Sequence, residues 1–83
     1  MQISPTSDNG IEISQRFRRT MEDRAEKLER DAEHDEAQIA CFVNEDHIRR
    51  QRRLVALERS EALRIRLFLD RARTRLPRPM IAL

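Results

Sequence analysis

Apolar side chains recur along most of the chain at intervals of three or four residues, the spacing of one face of an α-helix. The first stripe lies between residues 13 and 42 and is interrupted at Asp35. Its members are Phe17, Met21, Ala25, Leu28, Ala32, Ile39 and Phe42. We therefore predict a first helix over about residues 13–42.

A second stripe with the same period begins at Ile48 and contains two polar positions. Its members are Ile48, Gln51, Val55, Glu58, Ala62, Ile65, Leu69, Ala72 and Leu76. Pro77 disfavours helical geometry in the residue before it, so we predict a second helix over about residues 45–76. Turn-forming residues at the start predict a flexible N-terminal arm over residues 1–12, and residues 77–83 are expected to form an extended tail.

Between the stripes, Asn44 can cap a new helix, and Glu45 and Asp46 suit its positively polarised first turn. Val43 and Ile48 have the spacing of a hydrophobic staple. These signals favour a chain that reverses near Asn44. The alternative is one unbroken helix in a parallel coiled coil, about 90 Å long at 1.5 Å per residue.

Reversal near residues 43 and 44 brings together positions whose numbers add to about 87. It pairs the two stripes, for example Ala25 with Ala62 and Met21 with Ile65, and it sets Asp35 opposite Gln51 and Arg52, which could satisfy its carboxylate. An acidic block over residues 29–36 also falls opposite a basic block over residues 49–59. Exposed pairs of this kind contribute only about 0–1 kcal/mol each, so we expect them to select orientation more than to add stability.

Composition agrees with this pattern: 39% of the 83 residues are charged, 4% are aromatic and one is glycine. Such chains are usually coiled coils or long helices. The predicted fold class is all-α, a coiled-coil-like antiparallel hairpin of two helices. A core this thin rarely supplies more than roughly 3–5 kcal/mol, so we expect the hairpin to dimerise or to pack on a partner.

The second helix carries more apolar surface than one seam requires. Leu57, Leu63, Leu67 and Phe68 are the predicted partner-binding residues, because a helix that is apolar over most of its circumference is normally covered on several sides. Helix-in-groove binding uses such spacing. The alternative is that Leu63 and Leu67 are isolated exposed leucines, which are common in folded proteins.

Charge suggests a rival function. Residues 1–43 carry a net charge of −4 and residues 44–83 a net charge of +6. The run containing Arg49, Arg50, Arg52 and Arg53 could neutralise phosphates and bind nucleic acid as a dimer. The facing acidic block and the scarcity of aromatic side chains for base stacking argue against this reading. In architecture alone, such a dimer resembles the plasmid copy-control hairpins.

Catalytic and metal chemistry are not expected. The single glycine, Gly10, excludes a glycine-rich phosphate loop, and a two-helix chain offers no enclosed pocket. The metal candidates His34, Cys41 and His47 lack the spacing of a four-ligand zinc site, and Asp31 to His34 is an acid-x-x-His motif without a second copy. We predict no enzyme activity, no cofactor and no metal.

One cysteine and the absence of a long apolar run predict a protein that stays off the membrane, in the reducing cytoplasm. In size and plan, residues 13–76 resemble two-helix type III secretion co-chaperones and small phage-encoded inhibitors of host proteins. No functional residue follows from this resemblance. It implies a protein-binding adaptor, co-chaperone or inhibitor.

Overall fold

The computed structural model describes residues 11–75, which form an antiparallel hairpin of two helices. The all-α hairpin predicted from the sequence is confirmed. The elements are strand β1, helix α1, a 3-10 turn, helix α2 and strand β2. In that order, they span Glu12–Ile13, Gln15–Gln38, Ile39–Cys41, Glu45–Arg71 and Arg73–Thr74. None of the described helices is long and apolar enough to cross a membrane.

Helix α1 is shorter than predicted at both ends. It begins after Ser14, whose hydroxyl accepts a hydrogen bond from the backbone N–H of Phe17 at 3.0 Å. Ile13 belongs to β1, and Phe42 is already extended, with φ −88° and ψ 142°. The predicted range of 13–42 is therefore wrong, because the serine cap and the 3-10 turn stop the helix inside the apolar stripe.

Helix α2 begins where the sequence predicted. The Asn44 side chain accepts hydrogen bonds from the backbone N–H groups of Asp46 at 2.7 Å and His47 at 3.2 Å. The predicted hydrophobic staple is wrong, because Val43 is 92% exposed. Phe42 packs instead against the ring of His47, with 5.8 Å between the ring centroids.

Helix α2 ends at Arg71, so the predicted end at residue 76 is wrong. Beyond Ala72 the chain is extended, and β2 pairs in parallel with β1. The backbone N–H of Arg73 donates to Ile11 O at 2.8 Å, and that of Arg75 donates to Ile13 O at 2.6 Å. Residues 11 and 12 therefore belong to the folded unit and not to a flexible arm. The rest of the predicted arm, the proline stop and the predicted tail lie outside the described residues.

Small residues let the two helices approach closely. Ala25 and Ala32 are fully buried on α1 and face the α2 stripe. The buried members of that stripe are Val55, Ala62, Ile65 and Leu69. The amide of Gln51 donates to the backbone carbonyl of Asp35 at 3.0 Å, which agrees with the predicted register.

Candidate interaction surface

Exposed apolar side chains are concentrated on α2. Leu54, Leu57, Leu63 and Leu67 are exposed there, whereas within α1 the large exposed apolar side chain is Phe17. Three of the four predicted partner-binding residues, Leu57, Leu63 and Leu67, are thus 63%, 58% and 52% exposed. They lie outside the seam that joins α1 to α2.

Phe68, the fourth predicted partner-binding residue, sits differently. It is half-buried and packs on the edge of the core cluster. Its ring meets that of Phe17 edge to face, with 6.3 Å between centroids and an interplanar angle of 87°. Much of Phe68 is therefore committed to the hairpin itself, and Leu57, Leu63 and Leu67 carry the open surface.

The arginines of the rival hypothesis lie at the turn end of the hairpin. Arg49, Arg50, Arg52 and Arg53 are all exposed and spread around the first turns of α2. Arg49 lies 3.4 Å from Asp46 of its own helix. Within residues 11–75, no carboxylate lies within 4 Å of the other three guanidinium groups, which leaves them open to solvent.

The ion pairs between the helices involve other arginines. Glu29 accepts two hydrogen bonds from Arg66, at 2.8 and 3.1 Å, and Glu36 pairs with Arg59. The hydrogen bonds from Arg66 and its positive charge lower the pKa of Glu29. The predicted contact between the acidic block (residues 29–36) and the basic block (residues 49–59) is thus correct for Glu36 with Arg59. It is wrong for the four arginines of the rival hypothesis.

An acidic pair lies in the seam between the helices. Glu58 is half-buried, and its Oε1 has no hydrogen-bond partner among the described residues. Burial raises the pKa of Glu58, as do the neighbouring Asp35 carboxyl, which can accept a hydrogen bond only from protonated Glu58, and the negative charges of Asp35 and Asp31, whereas Lys27 lowers it. The expectation that Gln51 and Arg52 satisfy the Asp35 carboxylate is wrong, since Gln51 binds the backbone and the carboxylate faces Glu58.

The side chains considered for metal binding are dispersed. His34 lies 3.3 Å from the Gln38 amide, and Cys41 is exposed at the end of the 3-10 turn. Within the part of the chain that the structure describes, no group of three or more His, Cys, Asp or Glu side chains is arranged to hold a metal ion.

Reasoning from the sequence does not predict three features: the strand pair, the contacts of Arg18 and the ion pair Glu29–Arg66. Only the last left a usable signal. Glu29 and Glu36 are one heptad apart, as are Arg59 and Arg66, and such spacing predicts facing rows beside a helical seam.

Comparison with known proteins gave no relative: no family model, no curated protein and no solved structure matches this chain.

Proposed function

We propose that this protein is a small protein-binding module that presents the outer surface of α2 to a protein surface, as an adaptor, co-chaperone or inhibitor. The proposal rests on one observation. The chain exposes four leucines on α2, although a helix needs a single apolar stripe to pack against its hairpin neighbour. Exposed apolar surface of this kind marks interaction sites in small folded proteins. Because the chain carries one cysteine, we propose the cytoplasm as its compartment.

The test is affinity capture from the native host with two tagged proteins. One is the unchanged chain, and in the other Leu63 and Leu67 are both changed to Asp. Charges in the middle of an apolar contact must be desolvated without a partner, so we expect loss of every protein that the unchanged chain retains. The matched control is Thr20→Asp with Ala37→Asp, which adds the same two charges to exposed positions of α1.

Circular dichroism checks that helix content is unchanged in both variants. Unaltered capture by the Leu63 and Leu67 variant would contradict the proposal. A collapse of its helix content would also contradict it, because the two leucines would then belong to the core of the hairpin.

A second candidate is nucleic-acid binding through Arg49, Arg50, Arg52 and Arg53. The observation that favours it is the exposure of all four, three of them with no acidic partner among residues 11–75. Contacts to phosphates release counterions, so affinity for DNA or RNA would fall steeply between roughly 50 and 200 mM salt. Absence of binding at low salt would eliminate this candidate.

A further inference from the structure

Six exposed residues of α2 follow one another at spacings of three, four, three, four and three. We name this set the outward seam, and its members are Arg53, Ala56, Ser60, Leu63, Leu67 and Asp70. The spacing is that of the contact positions of a coiled coil, so the six side chains share one side of the helix. The buried residues of α2, such as Ala62 and Leu69, lie on the side that faces α1.

The order of residues along the outward seam is complementary to its own reverse. The outward seam begins with the basic Arg53 and ends with the acidic Asp70. Between them, two small residues come first and two leucines follow. We propose that the outward seam binds the outward seam of a second copy of this chain in antiparallel orientation, across a two-fold axis between residues 61 and 62. This inference rests on the proposed function and names one partner for the same surface.

The two-fold axis fixes which residues meet, because paired positions must have numbers that add to 123. Ala56 lies opposite Leu67 of the second copy, and Ser60 lies opposite Leu63 of the second copy. In each of these pairs a small side chain packs against a large one, as the interdigitation of two helices requires. Arg53 lies opposite Asp70 of the second copy. By symmetry every one of these contacts forms twice.

Charge disfavours the parallel arrangement. It would set Arg53 against Arg53 and Asp70 against Asp70 of the second copy, and like charges in contact are destabilising. Three arginines beside the outward seam pair with carboxylates of their own chain, whereas Arg52 and Arg71 have no such pair within residues 11–75. Arg59 and Arg66 pair with Glu36 and Glu29, and Arg64 lies 4.0 Å from Glu61. The resulting assembly is a four-helix bundle with the two α2 helices at its centre and an α1 helix on each outer side.

The first measurement is sedimentation equilibrium of the full chain over a wide range of concentration. We expect a species of twice the chain mass of 9.9 kDa that dissociates on dilution. Leu63→Asp with Leu67→Asp should remain a monomer at every concentration. The control Thr20→Asp with Ala37→Asp should dimerise like the unchanged chain.

The second measurement exchanges the charges at the ends of the outward seam. Arg53→Asp alone, or Asp70→Arg alone, converts two opposite-charge contacts into two like-charge contacts and should raise the dissociation constant about tenfold or more. The double variant R53D/D70R restores opposite charges and should recover most of the affinity. Neither Arg53 nor Asp70 forms an ion pair with α1 within residues 11–75. If a single variant weakened the dimer by disturbing the hairpin, the double variant would therefore not restore the affinity.

A monomer at all concentrations overturns the inference, and so does a double variant that dimerises as weakly as the single ones. A separate outcome decides whether the proposed function also fails. If the unchanged chain is monomeric but still captures another protein through Leu63 and Leu67, the function stands and the second copy is not its partner.

Discussion

At the scale of single residues, Glu58 and Asp35 place two carboxyl groups side by side in the seam between the helices. When both carboxylates are ionised, neither has a proton to donate, and the half-buried Oε1 of Glu58 is left without a partner. When Glu58 is protonated, it donates to Asp35. Because the pKa of Glu58 in the folded chain is raised above its usual value, this site contributes most to stability in acid and loses that contribution as pH rises through the raised pKa.

Replacement of Glu58 by Gln should therefore stabilise the protein at neutral pH. The amide carries a permanent donor for Asp35 and no charge, and we expect the free energy of unfolding at pH 7 to rise by about 1 kcal/mol. Urea unfolding at pH 7 and pH 5 measures the effect, which should shrink in acid. The control is Glu33→Gln on the exposed side of α1, which should change little. A loss of stability in E58Q at pH 7 would contradict this reading of the pair.

The ion pair of Glu29 responds to pH in the opposite direction. Arg66 lowers the pKa of the Glu29 carboxyl, so its contribution is present above the ordinary pKa of a glutamate and is lost as pH falls through the lowered value. Between neutral and acidic pH, the two sites therefore change the free energy of unfolding in opposite directions. Replacement of Glu58 measures the contribution of the Glu58–Asp35 pair alone.

At the scale of elements, Arg18 joins the start of α1 to the end of α2. Its guanidinium donates to the backbone carbonyls of Leu69 at 2.9 Å and Ala72 at 3.0 Å and to the hydroxyl of Thr74. The last carbonyls of a helix have no partner within the helix, and a cation there also suits the helix dipole. Arg18 therefore caps α2 and holds β2 in position to pair with β1.

Arg18→Met should lower the free energy of unfolding by about 1–3 kcal/mol, because it leaves half-buried carbonyls without donors while keeping an apolar stem. Chemical unfolding measures the loss, and faster amide hydrogen exchange at Arg73 and Arg75 should accompany it, since their N–H groups donate across the strand pair. Arg19→Met is the matched control at an exposed neighbouring position. Equal stability of the two variants would show that the cap contributes nothing.

Prediction from the sequence succeeded for local signals and failed for long-range ones. The stripes and the Asn44 cap depend on residues within one or two turns, and they gave the hairpin and the start of α2. The end of α2 depends on Arg18 and Ile13, more than 50 residues away along the chain, whereas the apolar period alone predicts a helix that continues past Ala72. Exposure on α2 could be anticipated from its excess of leucines, but the commitment of Phe68 to Phe17 could not.

At the scale of the whole molecule, α2 has one seam that is buried against α1 and a second, the outward seam, that is exposed. The buried seam joins α1 to α2 through alanines and aliphatic side chains, with the pairs Glu29–Arg66 and Glu36–Arg59 beside it. The outward seam has the same period and no covering element among residues 11–75. Burial of its leucines would add apolar contact to a core that is thin for an independent domain.

The most direct test of the outward seam is a distance between two copies. A spin label at Arg64→Cys, in a Cys41→Ser background, lies beside the seam and close to the proposed two-fold axis. With α2 helices about 8–10 Å apart and a rise of 1.5 Å per residue, the two labels should be roughly 20 Å apart. Dilution with unlabelled chain should remove the signal. Labels far beyond that distance, or no coupling at concentrations where the chain is dimeric, would contradict an antiparallel contact between two α2 helices.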